Sequence, residues 1–268
     1  MPPPIRANST MLAGIVFVLL PGGAFLMGAQ AKDKDGPNFD PDALSGESLV
    51  HEVTLAPFFL SRHELTRGQW QRLTATQPFW WKEGLCYEGD EIRIGPSHPA
   101  DSIDWDDANR WMERHGLVLP TEAQWEYGCR AGTTTPWWPG PQEMDLQDCA
   151  NLHDQTSVKR KNNWGTPAPI TDGFTAIAPV GSFRANPFAL FDVHGNVWEW
   201  CRDWSGDYDA SVRTGDGYRL VGPASNRVSR GGSFGTVSSH ARSAERSRNA
   251  PSTRRDSVGL RPARTSRL

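Results

Sequence analysis

Glycine and proline are the residues that most constrain how this chain can fold. Its 268 residues include 26 Gly and 21 Pro. Proline interrupts helices and central strands because it lacks a backbone N–H, and glycine favours turns because it adopts left-handed backbone angles. We therefore expect a loop-rich α+β protein with short strands and a few short helices.

The length and composition suit one large domain. Hydrophobic residues make up 37% of the chain and charged residues 22%, which is typical of a globular protein. No internal repeat or linker divides the sequence, so we predict one domain over residues 16–265 after an N-terminal tail, residues 1–15. The apolar run 11–20 is too short to span a bilayer. A signal peptide is the alternative, but the run continues into Pro21 and Gly22 without a clear cleavage site, which predicts a first core hairpin.

Three short helices are predicted from capping residues followed by apolar residues at helical spacing. Thr66 caps the first helix, and Thr121 with Gln124 forms a capping box at the start of the third. Ala108 and Met112 lie on one face of the second, which has aspartates at its N-terminal end. Strand-like runs are predicted at residues 51–60, 178–183, 197–201 and 227–234.

Arginines dominate the charge of the C-terminal part. The net charge of −3 gives no case for nucleic acid, yet ten arginines follow residue 226, opposed there only by Glu245 and Asp256. One alternative is an anion-binding or nucleic-acid-binding patch. We favour pairing with acids of earlier segments, such as Glu122, Glu126 and Glu199, because no aromatic residues interleave the arginines.

The four cysteines do not form a recognisable metal or disulfide pattern. Cys86, Cys129, Cys149 and Cys201 contain no CxxC pair and no zinc-like spacing. One disulfide is possible but cannot be assigned from sequence. Buried free thiols in a reducing compartment are the simplest interpretation, and we expect a cytoplasmic rather than an exported protein.

Two oxygen-rich segments could hold a hard cation. Residues 192–200 (DVHGNVWEW) place carboxylates and carbonyls around a glycine turn, and Asn151 could join Asp172 across a loop. A turn with a buried glutamate explains the first segment equally well. A Ser233, His240 and Asp256 triad can also be drawn, but no nucleophile-elbow motif supports it.

Six motifs, in order, resemble those of a known family. They are PGGAFLMG at 21–28, ELT and QW at 64–70, LPTEAQWEY at 119–127, GNVWEW at 195–200, RGGSF at 230–234 and GLR at 259–261. Together they are specific, although each alone is weak. From about residue 16 to residue 264, the chain resembles the formylglycine-generating enzyme, or sulfatase-modifying factor, family.

The resemblance implies a fold related to C-type lectins, with two structural calcium sites. By motif match, the first site would use Asn151, the Leu152 carbonyl, Asp172 and the Phe174 carbonyl. The second would use Asp192, the Gly195 carbonyl, the Val197 carbonyl and Glu199. The family usually has Asn where Asp192 stands, but a carboxylate also suits calcium.

The chain departs from the family where the chemistry is expected. Formylglycine generators oxidise a sulfatase cysteine and bind Cu(I) through two cysteines just after the Gly-Gly-Ser motif. Here Thr236 stands at the first position and Ala241 at about the second, and no cysteine follows Cys201. Soft thiolates suit Cu(I) and hydroxyls do not, so we expect neither copper nor these catalytic residues.

Three functions follow from the resemblance. We favour a non-oxidising member that binds an unidentified protein, peptide or small molecule through the loops of residues 236–255. The candidate ligand-binding residues are Ser233, His240, Arg242 and Arg248. One alternative is an iron-dependent oxidase relative, although such relatives borrow histidines from an additional domain and only His194 and His240 are near. The other is formylglycine generation retained by an unexpected route.

Overall fold

Short regular elements joined by long irregular segments build the protein. A computed structural model describes residues 11–82, 85–87, 90–160 and 165–265. Within these ranges the α-helices are α1 (Arg67–Thr74), α2 (Trp105–Arg114) and α3 (Glu122–Arg130). The predicted loop-rich α+β fold is confirmed, and in the described ranges no helix is long and apolar enough to cross a membrane.

Twelve short strands accompany these helices in the described part of the chain. In order they are β1 (Met11–Leu12), β2 (Ile15–Leu20), β3 (Gly23–Met27), β4 (His51–Leu55), β5 (Phe58–Ser61), β6 (Leu85–Tyr87), β7 (Asp90–Ile92), β8 (Trp198–Trp204), β9 (Arg227–Arg230), β10 (Ser247–Asn249), β11 (Val258–Gly259) and β12 (Ala263–Thr265). One sheet has the order β1-β2-β5-β12 and another β10-β9-β8-β11, while β3-β4 and β6-β7 form two separate pairs.

The first predicted hairpin is wrong. β2 pairs with β5, and β3 pairs with β4, so the strands on either side of the Pro21 turn join different sheets. Gly22 has a φ of +70°, and a Cβ there would lie 2.3 Å from the carbonyl oxygen of Leu55. The turn therefore packs against the end of β4 and directs β3 away from β2.

Regular structure begins before residue 16. Ile15 is buried in β2, and β1 pairs with β2 from Met11 onward.

The helix starts agree with their capping signals. The Thr66 hydroxyl accepts a hydrogen bond from the Gln69 N–H at 3.2 Å, and the Thr121 hydroxyl accepts one from the Gln124 N–H at 3.1 Å. Both helices have the reciprocal side-chain bond of a capping box, and Asp104 caps α2. Local sequence therefore defines these three starts.

One predicted strand, at residues 178–183, does not form. The Asn196 side chain binds this segment instead, because its Oδ1 accepts from the Ala178 N–H at 2.8 Å and its Nδ2 donates to the Ala178 carbonyl at 3.3 Å. A side-chain amide thus satisfies backbone groups that a strand partner would otherwise satisfy. The run 51–60 forms the two strands β4 and β5, and the other two runs contain β8 and β9.

Buried arginines connect the C-terminal strands to α3 and β8, as predicted. Arg230 pairs with Glu126, and its side chain is fully buried. Arg246 binds Glu122 through Nε at 2.6 Å and through Nη2 at 2.8 Å. Such bidentate pairs fix geometry as well as charge. Five of the ten arginines after residue 226 are buried in this way, namely Arg227, Arg230, Arg242, Arg246 and Arg261.

The described cysteines are buried free thiols. Cys129, Cys149 and Cys201 form no disulfide. Burial raises the pKa of the Cys129 thiol to about 12 and that of Cys201 well above its usual value. Both are therefore protonated and unreactive near neutral pH. Cys86 lies in β6, and its side chain is outside the described residues.

Candidate functional site

The two predicted oxygen-rich segments lie side by side. The Asn196 N–H donates to the Asn151 carbonyl at 2.8 Å, and Asn151 Nδ2 donates to Asn196 Oδ1 at 3.0 Å. Gly195 has a φ of +83°, and a Cβ there would lie only 2.0 Å from the Asn151 carbonyl oxygen. Glycine is therefore required for the close approach of the two segments.

The first segment contains an unpaired oxygen beside a loop carboxylate. Asn151 Oδ1 is buried and has no hydrogen-bond partner. The Asp172 carboxylate accepts from the N–H groups of Leu152 at 2.9 Å and Phe174 at 2.7 Å. Burial, and next the charge of Asp154, raises the pKa of Asp172 to about 7. Asp154, which the sequence did not single out, accepts from the Asp172 N–H at 2.7 Å and holds this loop.

The second segment has the same feature at Asp192. Its Oδ2 accepts from the Gly181 N–H at 2.6 Å, whereas its Oδ1 is buried without a partner. Burial raises the pKa of Asp192 to about 6. Glu64, which the sequence offered only as part of the ELT motif and not as a site residue, is fully buried and accepts from the Val197 N–H at 3.1 Å. Burial, followed by the charges of Asp192 and Glu199, raises the pKa of Glu64.

Glu199 has protein partners for both carboxylate oxygens. Arg261 donates to them from Nε and Nη2, the shortest contact being 2.6 Å, and Trp125 Nε1 donates at 2.7 Å. This buried pair anchors β8 to the segment before β12. A cation at the second segment would therefore share Glu199 with Arg261.

The donor chemistry of both segments fits a hard cation. Each has one buried, unpartnered side-chain oxygen, and the second segment has carboxylates from Glu64, Asp192 and Glu199 against the single guanidinium of Arg261. Hard cations favour such oxygen ligands. Within the ranges that the structure describes, no group of three or more His, Cys, Asp or Glu side chains is arranged as a metal site. A cation here would thus also need amide and backbone oxygens.

Thr236 and Ala241 are neighbours, although five positions separate them. A Cβ built on Gly232 would lie 3.0 Å from Thr236 Oγ1 and 3.0 Å from the Cβ of Ala241. The Thr236 hydroxyl donates to the Ser233 carbonyl and accepts from the Ser233 N–H, both at 2.9 Å. The pair thus presents a bonded hydroxyl and a buried methyl group, neither of which is a thiol.

His194 is hydrogen-bonded to the loop that contains Thr236 and Ala241. It is fully buried, its Nε2 accepts from the Trp138 N–H at 3.1 Å, and it forms a hydrogen bond with the Ala241 backbone. Burial lowers its pKa to about 3, so the ring is neutral at physiological pH. Both ring nitrogens therefore have structural partners.

The four candidate ligand-binding residues divide into two buried and two exposed. Ser233 and Arg242 are buried, whereas His240 and Arg248 reach the surface. His240 Nδ1 lies 3.2 Å from Glu245 Oε1, and this bond raises the pKa of His240. Since His240 pairs with Glu245 and Ser233 is buried, the Ser233–His240–Asp256 triad is not assembled.

Arg242 fixes the loop rather than facing solvent. Its guanidinium contacts three carboxylates, two of them on a segment that is distant in sequence. They are Asp40 at 2.6 Å, Glu47 at 2.6 Å and Glu245 at 3.2 Å. Burial raises the pKa of Glu47 to about 7, against the lowering effect of Arg242.

Comparisons with known proteins extend over nearly the whole chain. A family model described as "Sulfatase-modifying factor enzyme 1-like domain" matches residues 7–266. The chain is 29% identical to the formylglycine-generating enzyme of Thermomonospora curvata, over 97% of the chain and 96% of that protein. It is 27% identical to the inactive C-alpha-formylglycine-generating enzyme 2 of Mus musculus, over 92% and 84%. The structure of PvdO from Pseudomonas aeruginosa is similar with a TM-score of 0.76 and 28% identity, over 97% and 98%.

Proposed function

Because the chain belongs to the sulfatase-modifying factor enzyme 1-like domain family, we propose that it is a non-oxidising member with a calcium-stabilised scaffold. Its role is to bind a protein, peptide or small molecule. The observation that carries the proposal is the Thr236–Ala241 pair. These two side chains both border Gly232, after the Gly-Gly-Ser motif, where the resemblance expects two thiolates. A hydroxyl and a methyl group are poor ligands for Cu(I).

The remaining thiols offer no replacement in the described structure. Cys129 is buried beside His194, with 3.9 Å between Sγ and Nδ1, and its raised pKa keeps it protonated. Cys149 is buried, and Cys201 is buried within β8. None of these three thiols is exposed for a peptide substrate to approach.

Calcium is proposed for the two adjoining segments around Asn151 and Asp192. The unpartnered oxygens of these residues would gain a ligand, and the negative charge near Glu64 would be compensated. When bound, calcium would supply structural cross-linking rather than redox chemistry. Bound calcium would hold the turn that contains His194, whose ring is hydrogen-bonded to the Ala241 backbone.

We place ligand binding on the exposed face of the loops of residues 236–255. His240 and Arg248 provide its polar and cationic groups, while Ser233 and Arg242 hold it in place. Loops on a rigid frame are common binding surfaces. The inactive mouse relative supports a family role without oxidation.

A mass-spectrometric assay tests the proposal. Calcium-loaded protein, with and without Cu(I), is incubated with a peptide carrying Cys-x-Pro-x-Arg, and its cysteine is monitored for conversion to formylglycine. We expect no conversion from protein shown by circular dichroism to be folded. Conversion by the unmodified chain would overturn the proposal and favour the formylglycine-generating oxidase. Iron that co-purifies stoichiometrically would favour the iron-dependent alternative.

The matched control restores the missing thiols. The Thr236→Cys/Ala241→Cys variant should bind Cu(I) in competition with a chromogenic Cu(I) chelator, because the two side chains are neighbours and thiolates suit Cu(I). The single variants Thr236→Cys and Ala241→Cys should compete less well. If the double variant is folded but no better than the unmodified chain, the two positions do not correspond to the copper pair.

A further inference from the structure

One group of ionisable side chains attaches the loops of residues 236–255 to the segment of residues 40–47. This anchoring cluster consists of Asp40 and Glu47 on the segment and of His240, Arg242 and Glu245 on the loops. Four of the five residues are buried, whereas the side chain of His240 is 52% exposed. His240 can therefore exchange a proton with solvent while the rest of the cluster stays covered.

The charges of the anchoring cluster do not balance. Its three carboxyl groups, on Asp40, Glu47 and Glu245, all contact the guanidinium of Arg242, at 2.6, 2.6 and 3.2 Å. One guanidinium cannot neutralise three ionised carboxylates, and excess charge is costly in a buried site because water screens it poorly. Each proton that the cluster takes up removes part of this excess and should strengthen the attachment.

Two members of the cluster take up a proton near neutral pH. His240 Nδ1 lies 3.2 Å from Glu245 Oε1, and this hydrogen bond raises the pKa of His240. Burial, against the lowering effect of Arg242, raises the pKa of Glu47 to about 7, and a hydrogen bond to Glu245 adds to the rise. Burial of Glu245 is outweighed by the hydrogen bonds from His240 and Glu47, which lower its pKa. Glu245 therefore stays ionised and accepts both hydrogen bonds.

The attachment should weaken as the pH rises. A group whose pKa is higher in the folded protein than in the unfolded chain stabilises the fold below its unfolded-state pKa. It loses this effect as the pH rises through its folded-state pKa. For Glu47 the loss runs from the ordinary pKa of 4.5 to about 7, and for His240 it begins at the ordinary pKa of 6.5. The two losses have the same sign, and both continue between pH 6 and pH 8.

Arginines and paired carboxylates surround the cluster. They are Arg230 with Glu126, Arg246 with Glu122, Arg248, whose Nη2 would lie 3.3 Å from a Cβ on Gly46, and Glu143, which accepts from the Ser238 hydroxyl. Arginine keeps its charge throughout the physiological pH range. The pH dependence of the attachment is therefore expected to come from His240 and Glu47.

We propose that the loops of residues 236–255 form a pH-sensitive element, held firmly against residues 40–47 in mildly acidic solution and loosened in mildly alkaline solution. Proton uptake at His240 and Glu47 tightens the attachment, and proton loss weakens it. This regulation of the binding surface rests on the proposed function for its biological role, but the attachment itself can be measured without a ligand.

Hydrogen–deuterium exchange of the whole chain at pH 6 and pH 8 tests the proposal. The measured quantity is the protection of backbone amides in residues 238–249, corrected for the intrinsic pH dependence of exchange and divided by that of α3, which reports on the core. We expect this ratio to be about three- to tenfold lower at pH 8. An equal or higher ratio at pH 8 would overturn the pH-sensitive attachment. It would leave the non-oxidising role standing, since that role is tested by the formylglycine assay.

Substitutions identify the groups that respond to pH. His240→Gln should lower the protection of the loops at pH 6, because glutamine cannot supply the positive charge. Glu47→Gln should raise it at pH 8, because glutamine is neutral like the protonated carboxyl group. The double variant should lose the difference between the two pH values. A folded double variant that keeps the difference would overturn the proposal.

His115→Gln is the matched control. His115 is also partly exposed, and its Nε2 lies 3.0 Å from the Leu73 carbonyl oxygen at the end of α1. This variant removes a histidine outside the anchoring cluster and should leave the response of the loops unchanged. Equal effects of His115→Gln and His240→Gln would contradict a role for the cluster.

Discussion

Gly195 determines how closely the two oxygen-rich segments approach. Its left-handed backbone and its missing side chain are separate requirements, because the carbonyl oxygen of Asn151 occupies the space that a Cβ would need. Gly116, at the end of α2, has a similar φ of +67° but no atom within 4 Å of a Cβ. Comparing a substitution at Gly195 with one at Gly116 therefore distinguishes the steric clash of a Cβ from the strain of a left-handed backbone.

Replacing Gly195 with alanine should destabilise the protein far more than replacing Gly116. We expect a loss of about 1–2 kcal/mol for Gly116→Ala from the left-handed conformation. Gly195→Ala should lose at least about 3 kcal/mol, because a backbone carbonyl must also move. Urea unfolding followed by tryptophan fluorescence measures both. Equal losses would show that the contact with Asn151 adds nothing.

At this scale the sequence predicted the motif residues but missed their supports. Asn151 and Asp192 lie on segments in direct contact, and their role as calcium ligands stays a prediction. Asp154 was not singled out, and Glu64 was noted only within the ELT motif, because their contacts with the N–H groups of Asp172 and Val197 span distant or irregular segments. The sequence predicted that Glu199 pairs with an arginine of the C-terminal part, but it did not identify this arginine as Arg261.

Long-range ion pairs join elements that local sequence cannot connect. The 3₁₀ helix Ser45–Glu47 is held to the Ser238–Ala241 3₁₀ helix region by Arg242, which also contacts Asp40 and Glu245. The sequence predicted the capping boxes because donor and acceptor lie three residues apart. It did not predict the pairing of β2 with β5, because a glycine turn can lead either into a hairpin or into a different sheet.

Removing Arg242 should be strongly destabilising. Arg242→Gln would leave Asp40, Glu47 and Glu245 close together without their shared cation, and a loss of about 3–5 kcal/mol is expected. Arg248→Gln is the matched control, because Arg248 is exposed and should change stability by less than about 0.5 kcal/mol. Chemical unfolding of both variants gives the comparison. If the two losses agree, the carboxylates must have other compensation.

The whole molecule is assembled around charged groups as much as around apolar ones. Arg230, Arg246 and Arg261 are buried, and each reaches a glutamate on α3 or β8. Composition predicted this pairing, since ten arginines with two local acids require partners elsewhere. Which arginine meets which acid depends on the sheet order β10-β9-β8-β11, which has no local signal.

Calcium should stabilise the whole fold, because each of its two proposed sites contains a buried side-chain oxygen without a hydrogen-bond partner, which calcium would satisfy only in the folded protein. A ligand present at about a hundred times its Kd adds about 2.7 kcal/mol, or roughly 5–10 °C in the melting midpoint of a chain of this size. We expect calorimetry to show this rise when calcium replaces EGTA. Magnesium should give a smaller rise, because it needs smaller, near-octahedral sites.

The difference between the melting midpoints with and without calcium distinguishes the loss of a calcium-binding side chain from a general loss of stability. Asn151→Ala and Asp192→Ala should each reduce that difference, because each removes an oxygen that has no protein partner. Asp203→Asn is the control, since Asp203 is equally buried but accepts from the N–H groups of Glu122 and Arg219. It should lower both midpoints and preserve the difference. Identical midpoints for the unmodified protein in EGTA and in calcium would exclude a calcium-stabilised scaffold and leave the unpaired oxygens to water.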